Sequence, residues 1–193
     1  RHATTPVAFA VYFRAQAGSR SGLPTGGAMS AIAVRHYEQR DLAQIHAIYS
    51  EPEAFANTLQ LPFQSEEHWR SKISAAKEGF TNLVAVRDDE VLGQLTLEVF
   101  QRPRRRHAAT FGMGVKGSAR RLGVGSALVG AAVDLCEKWI NVSRIELEVY
   151  TDNAAAIALY SKHGFVIEGT CRRYAFRDGQ FVDAHIMARL LDV

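Results

Sequence analysis

Cysteine is scarce in this chain of 193 residues. The two present, Cys136 and Cys171, are too few for a disulfide framework and have no metal-ligand spacing. A reducing cytoplasm is therefore the expected setting, with both side chains acting as structural thiols. Apolar runs of membrane-spanning length are missing, so no membrane partner is expected. Net charge is nearly absent from most of the chain. The formal charge is +3, but Arg1, Arg14 and Arg20 fall within residues 1–28, which contain no acid, and the basic residues beyond them balance the 20 acidic ones. A broad nucleic-acid face requires clustered phosphate-neutralising charge, so the pI of 9.0 does not indicate such a partner. His36, His46, His68, His107 and His163 are scattered without ligand spacing, and no metal is assigned. Repeats and low-complexity segments are also lacking.

Residues 1–28 have little helical or alternating period and end in Ser21-Gly22-Leu23-Pro24-Thr25-Gly26-Gly27-Ala28. They read as a leader outside the fold, with one domain expected over 29–193, a length that can bury a single core. From Ala31 to Tyr37 the chain alternates as a strand. Asp41 stands where it would cap a helix that places Leu42, Ile45 and Ile48 on one face. Pro52 and Pro62 bracket an expected polar loop in which Asn57, Thr58 and Gln60 either touch a substrate or are simply solvated. Ser65 caps a second helix, with Glu66 and Glu67 at its positive end and Trp69 and Ile73 facing inward.

An antiparallel hairpin follows, Leu83–Val86 and Val91–Phe100 around Asp88-Asp89. It runs through a basic cluster, Arg102 to Arg106, which either receives an acidic group or forms a solvated tip. The central stretch is His107–Gly130. In its strand Thr110-Phe111-Gly112-Met113-Gly114-Val115, apolar or β-branched residues alternate with small ones, leaving backbone that a ligand can approach closely. Arg120-Arg121-Leu122-Gly123-Val124-Gly125-Ser126 then opens a helix, and free amides beside two arginines make an anion site. Gly-rich turns also occur without any ligand, so this spacing by itself leaves both readings open.

Downstream, Arg144–Tyr150 alternates strictly, with Ile145, Leu147 and Val149 on one face and Glu146, Glu148 and Tyr150 on the other. Asp152 or Asn153 caps a helix bearing Tyr160 and stopped at Gly164, and two strands around Arg177-Asp178-Gly179 complete the chain. This order describes an α/β (α+β) fold, a mixed sheet with helices packed against it.

The turn Arg120-x-x-Gly123-x-Gly125, followed by Asn153-x-x-Ala156-x-x-x-Tyr160-x-x-x-Gly164-Phe165, resembles the GNAT superfamily of acyl-coenzyme-A N-acyltransferases from about Ser30 to Arg189. Asn57-Thr58-Leu59-Gln60, Gln101 to Arg105 and Tyr174 to Ala184 are similar to segments of the bacterial YhhY-type amino-acid N-acetyltransferases. The resemblance implies a mostly antiparallel sheet of about seven strands flanked by about four helices. It further implies acetyl-CoA as cosubstrate, a small primary amine as acceptor, most readily a free L-amino acid, and a homodimer from family habit. Pantetheine would pair with the backbone of Met113 and Val115 like an added strand. The pyrophosphate would meet amides from Arg121 through Leu122, Gly123, Val124 and Gly125 to Ser126, with charge from Arg120 and Arg121. Asn153 would hold the cofactor arm or a water, or simply cap its helix.

Acetyl transfer needs a neutral amine, and an α-amino group titrates near ~7.7–8.0, so a base is required around neutral pH. The resemblance places Glu148 in that role, with Glu146 on the same face as reserve and substrate contact alongside Asn57 and Thr58. Tyr160 would protonate the departing thiolate, although its spacing alone also suits a core aromatic. An arginine of the 102–106 cluster is the expected partner for an acceptor carboxylate. A protein or peptide N-acetyltransferase and a non-catalytic acyl-CoA sensor are the alternative functions.

Overall fold

Alternation in the strands and heptad-like spacing in the helices leave each element with one apolar face, and one sheet with helices on both sides satisfies all of them. A computed structural model describes residues 30–74 and 78–191; the expected leader, 1–28, lies outside the described residues. Seven strands form one sheet: β1 (Ala33–His36), β2 (Phe80–Arg87), β3 (Glu90–Val99), β4 (Ala108–Val115), β5 (Arg144–Tyr150), β6 (Val166–Arg177) and β7 (Gln180–Leu190), in the order β1-β2-β3-β4-β5-β7-β6. All neighbours are antiparallel except β4 and β5. The helices are α1 (Leu42–Tyr49), α2 (Pro52–Ala56), α3 (Glu66–Ser74), α4 (Val124–Lys138) and α5 (Ala154–Lys162).

The expected count of about four helices becomes five because part of the polar loop after Pro52 is helical. Proline is preorganised for a first helical turn, and Asn57 Nδ2 and Thr58 Oγ1 donate back to the carbonyls of Glu53 and Ala54, satisfying groups that a five-residue helix would otherwise expose. Asp41 likewise departs from expectation. Its side chain makes no cap bond to α1; it takes a two-pronged hydrogen bond from Arg35 at 2.7 and 2.8 Å and another from the Glu38 amide. Burial alone would raise the Asp41 pKa, but these donors hold it below its ordinary value. Ser65 does cap α3 through the His68 amide.

Two cores result. On one face α4 and α5 cover Ala85, Leu95, Leu97, Ala109, Ile145, Leu147 and Val149; on the other, α1 and α3 meet Val84 and Val91. Large side chains fully removed from water, such as Ile45, Leu128 and Phe165, each contribute about 1.5–3 kcal/mol. Cys136 lies in the larger core, where burial pushes its thiol up to about 12, in keeping with a structural role.

The sheet face toward α1 and α3 is unusually polar. Across it run Asn82, Thr96 and Gly112, then Glu98, Thr110 and Glu146, each set made of register partners on adjacent strands.

Candidate active site

The parallel ladder between β4 and β5 is short. It pairs Ala108 with Arg144, Ala109 with Ile145 and Thr110 with Glu146, and goes no further. Beyond Thr110, β4 remains paired to β3 through Val115, while β5 runs on to Tyr150 paired to β7. The two strands therefore part, and the β4 edge from Phe111 to Val115 faces the opening.

A cavity of about 370 Å³ occupies this opening. Its lining includes Met113 and Gly112 of β4, Glu148 and Tyr150 of β5, Tyr160 of α5, and Asn57 and Thr58. Glu148 lies on the α1/α3 face of the sheet, opposite to Leu147 and Val149, whereas Tyr160 belongs to the α4/α5 core and is 9% exposed. The parted strands are what let these two groups reach one space. Tyr160 is held by edge-to-face contacts with Phe111 at 5.7 Å and a tilted contact with Phe165 at 6.0 Å between ring centres, and burial pushes its phenol up to about 12. It keeps its proton throughout the neutral range.

The glycines of β4 point to the same face as Thr110 and have different surroundings. A methyl at Gly114 would lie 2.9 Å from the Tyr49 ring, so this glycine admits α1 close to the sheet; at Gly112 nothing lies within 4 Å, leaving backbone open to the cavity.

At the rim, Gly123 has φ +88° and turns the chain into α4. The first amides of that helix, Val124 to Ser126, have no acceptor within it, and together with the helix dipole they suit an anion. Arg121 is adjacent, also in the left-handed region. The Arg120 guanidinium pairs with Glu53 and its amide donates to the Gly117 carbonyl. Leu122 is 48% exposed beside the turn. Ser126 Oγ and His163 Nε2 are 2.8 Å apart, and burial lowers the His163 pKa, a pairing that no spacing in the sequence announced. Asn153 Oδ1 accepts from the Ala156 amide and caps α5; Val115 borders Gly125 where α4 meets β4.

Two expected acceptor contacts lie elsewhere. Glu146 shares a strand face with Glu148 but does not line the cavity; it is held by Arg105 at 2.5 Å and Arg144 at 2.8 Å. The basic cluster Arg102–Arg106 is also outside, its Arg105 stacked over Phe100 at 4.7 Å. Charge runs at turns find solvent and local carboxylates, and this one does so. Asn57 and Thr58 do line the cavity, yet both side chains are engaged with α2 carbonyls.

No motif in the sequence marked Tyr49, Lys72, Phe80 or Glu98, which also line the wall. Tyr174 reaches the cavity because β6 is irregular between Cys171 and Ala175, with Arg173 at φ 52° and its amide bonded to Asp183. Tyr150 stands edge-on to Tyr174 and donates to the Thr58 carbonyl at 3.2 Å, tying β5 to the loop after α2. Arg177 fastens the β6–β7 turn to the same region through Asp152 and the Ala56 carbonyl. Lys72 and Glu98 complete the charged lining.

A sheet parted beside a glycine-bearing strand, with a helix start at the rim, defines an acyl-transfer fold of the GNAT type. The chain belongs to the acetyltransferase (GNAT) family, which it matches over residues 31–165. It is 47% identical over 162 residues to the L-amino acid N-acetyltransferase AaaT of Escherichia coli (strain K12), across 84% of this chain and 99% of that one. A GCN5-related N-acetyltransferase from Kribbella flavida superposes with a TM-score of 0.75 at 28% identity, covering 83% of this chain and 98% of that chain. The ribosomal-protein-alanine N-acetyltransferase of Brucella melitensis does so at 0.73 and 27%, covering 82% and 99%. Among the described residues no helix is long and apolar enough to cross a membrane.

Proposed function

We propose that this acetyltransferase moves the acetyl group of acetyl-CoA to the primary amine of a free L-amino acid. The observation that carries the reading is the arrival of Tyr160 and Glu148 in one cavity from opposite faces of the sheet, through the β4–β5 gap. The open backbone at Gly112 and Met113 suits pantetheine, which would add to the free β4 edge as a strand does, continuing past Val115. The pyrophosphate would meet the amides of Arg121 to Ser126 and the Arg121 charge.

In this reading Glu148 removes a proton from the ammonium group, directly or through a water, and the neutral amine attacks the thioester carbonyl. A C–N bond forms, the C–S bond breaks, Tyr160 donates its proton to the leaving sulfur, and the proton that the acylated nitrogen gives up restores the phenol. The Met113 amide would polarise the carbonyl oxygen. Aromatic walls from Tyr49, Trp69, Phe80, Tyr150 and Tyr174 favour an apolar or aromatic side chain on the acceptor. The likeness to an L-amino acid N-acetyltransferase along nearly its whole length supports the same acceptor class.

The test is thiol release from acetyl-CoA in the presence of free amino acids, polyamines, aminoglycosides or peptides. Turnover with apolar and aromatic amino acids is expected; turnover confined to peptides or to polyamines would overturn the assignment.

A further inference from the structure

Among the described residues that line the cavity, three carry charge: Glu98, Glu148 and Lys72. The single cation is not one of the arginines expected for that task. It comes from α3, where Trp69 is buried at 3% exposure and stacked on Tyr49 with ring centres 4.2 Å apart. One turn further along, Lys72 lies over the Trp69 ring at 5.0 Å and donates to Gln60 Oε1 at 2.8 Å. The aromatic stack and the amide thus hold the ammonium at the cavity wall, while its exposed position keeps it within reach of a ligand.

A cavity with carboxylates on β3 and β5 and one ammonium on α3 has the charge pattern of a zwitterion's counterpart. A polyamine offers only cations, for which Lys72 is repulsive. A peptide N-terminus has its ammonium but no adjacent carboxylate, so Lys72 would gain nothing from it. A free α-amino acid supplies both groups, with the amine toward Glu148 and the carboxylate left for a cation.

We propose that Lys72 is the specificity-determining residue that binds the α-carboxylate of the acceptor. This rests on the acetyl-transfer reading above and adds the residue that separates free amino acids from amidated or peptide-linked ones. An ammonium has three donors, so the contact to Gln60 and one to a carboxylate are compatible.

The experiment compares kcat/KM for L-phenylalanine and L-phenylalaninamide in the wild type, Lys72→Met and Lys72→Arg. The amide differs in its intrinsic reactivity, but that difference cancels when the acid-to-amide ratio is compared between variants. Loss of a charge-assisted hydrogen bond predicts an acid-to-amide ratio lowered by about 10- to 100-fold in Lys72→Met, through KM for the acid, with the amide little changed. Lys72→Arg should recover part of the preference. Wild-type activity on both compounds with an unchanged ratio in Lys72→Met would overturn the role of Lys72 alone. A wild type that acetylates neither would overturn the acceptor reading and this inference with it. Equal losses for acid and amide in Lys72→Met would mark a structural effect and also overturn it.

Discussion

The Tyr49 hydroxyl donates to Gln94 Oε1 at 2.8 Å, the first link of a hydrogen-bonded chain that runs along the cavity wall. Gln94 Nε2 donates to Thr96 Oγ1, Thr96 to Asn82 Oδ1, and Asn82 Nδ2 to the Ile73 carbonyl. A carbonyl can only accept, so the last link sets the direction of all the others. The Tyr49 proton is consequently committed to Gln94.

Breaking this chain should cost stability. Gln94→Leu would strand the Tyr49 hydroxyl and leave Thr96 without its donor, each costing about 1–3 kcal/mol when buried. Urea unfolding followed by tryptophan fluorescence would measure it, since Trp69 stacks directly on Tyr49.

Tyr160→Phe keeps the ring among Phe111 and Phe165 and removes only the hydroxyl. General-acid catalysis contributes typically about 10²–10⁴-fold, so kcat should fall at least ~100-fold while the melting temperature stays near that of the wild type. Unchanged turnover would remove Tyr160 from the mechanism.

The pH profile should separate the base from the acid. With the phenol raised to about 12, Tyr160 stays protonated well past neutrality, so activity should rise with pH as the amine loses its proton and should not turn down across pH 7–9. Glu148→Gln should lower kcat/KM most at pH 7 and least at pH 9, where more of the amine is already neutral. A uniform loss across that range would argue against a base at this position.

The two β4 glycines should respond oppositely to added bulk. Gly114→Ala drives a methyl into the Tyr49 ring and should destabilise the fold by about 1–3 kcal/mol. Gly112→Ala adds a methyl with no protein atom within 4 Å, so it should leave the melting temperature little changed yet raise KM for acetyl-CoA, whose pantetheine is proposed to lie there. Calorimetric titration with CoA would measure the loss without requiring turnover.

Local pattern alone determined the seven strands, the α4 and α5 helices and the stop at Gly164, because residue period and turn chemistry act over a few positions and are written there directly. It also marked the turn Arg120–Ser126 as a place for an anion, whereas Tyr160 and Glu148 were singled out by the family resemblance, since spacing alone fits a core aromatic and a solvated carboxylate. The polar loop hid α2, whose five residues are too few to display a helical period. Alternation alone leaves Glu146 and Glu148 equivalent on one strand face, and only the resemblance favoured Glu148. Their fates diverge because the β4–β5 ladder ends at Glu146, which stays beside Arg105 and Arg144, while Glu148 lies past the split. The cavity's cation was likewise decided by packing. The four arginines of residues 102–106 suggested a carboxylate site, but long-range contacts place Lys72 of α3 at the wall and leave the arginines outside. Such choices depend on where strands separate and which helix lies across them, and contacts between residues distant in the chain settle both.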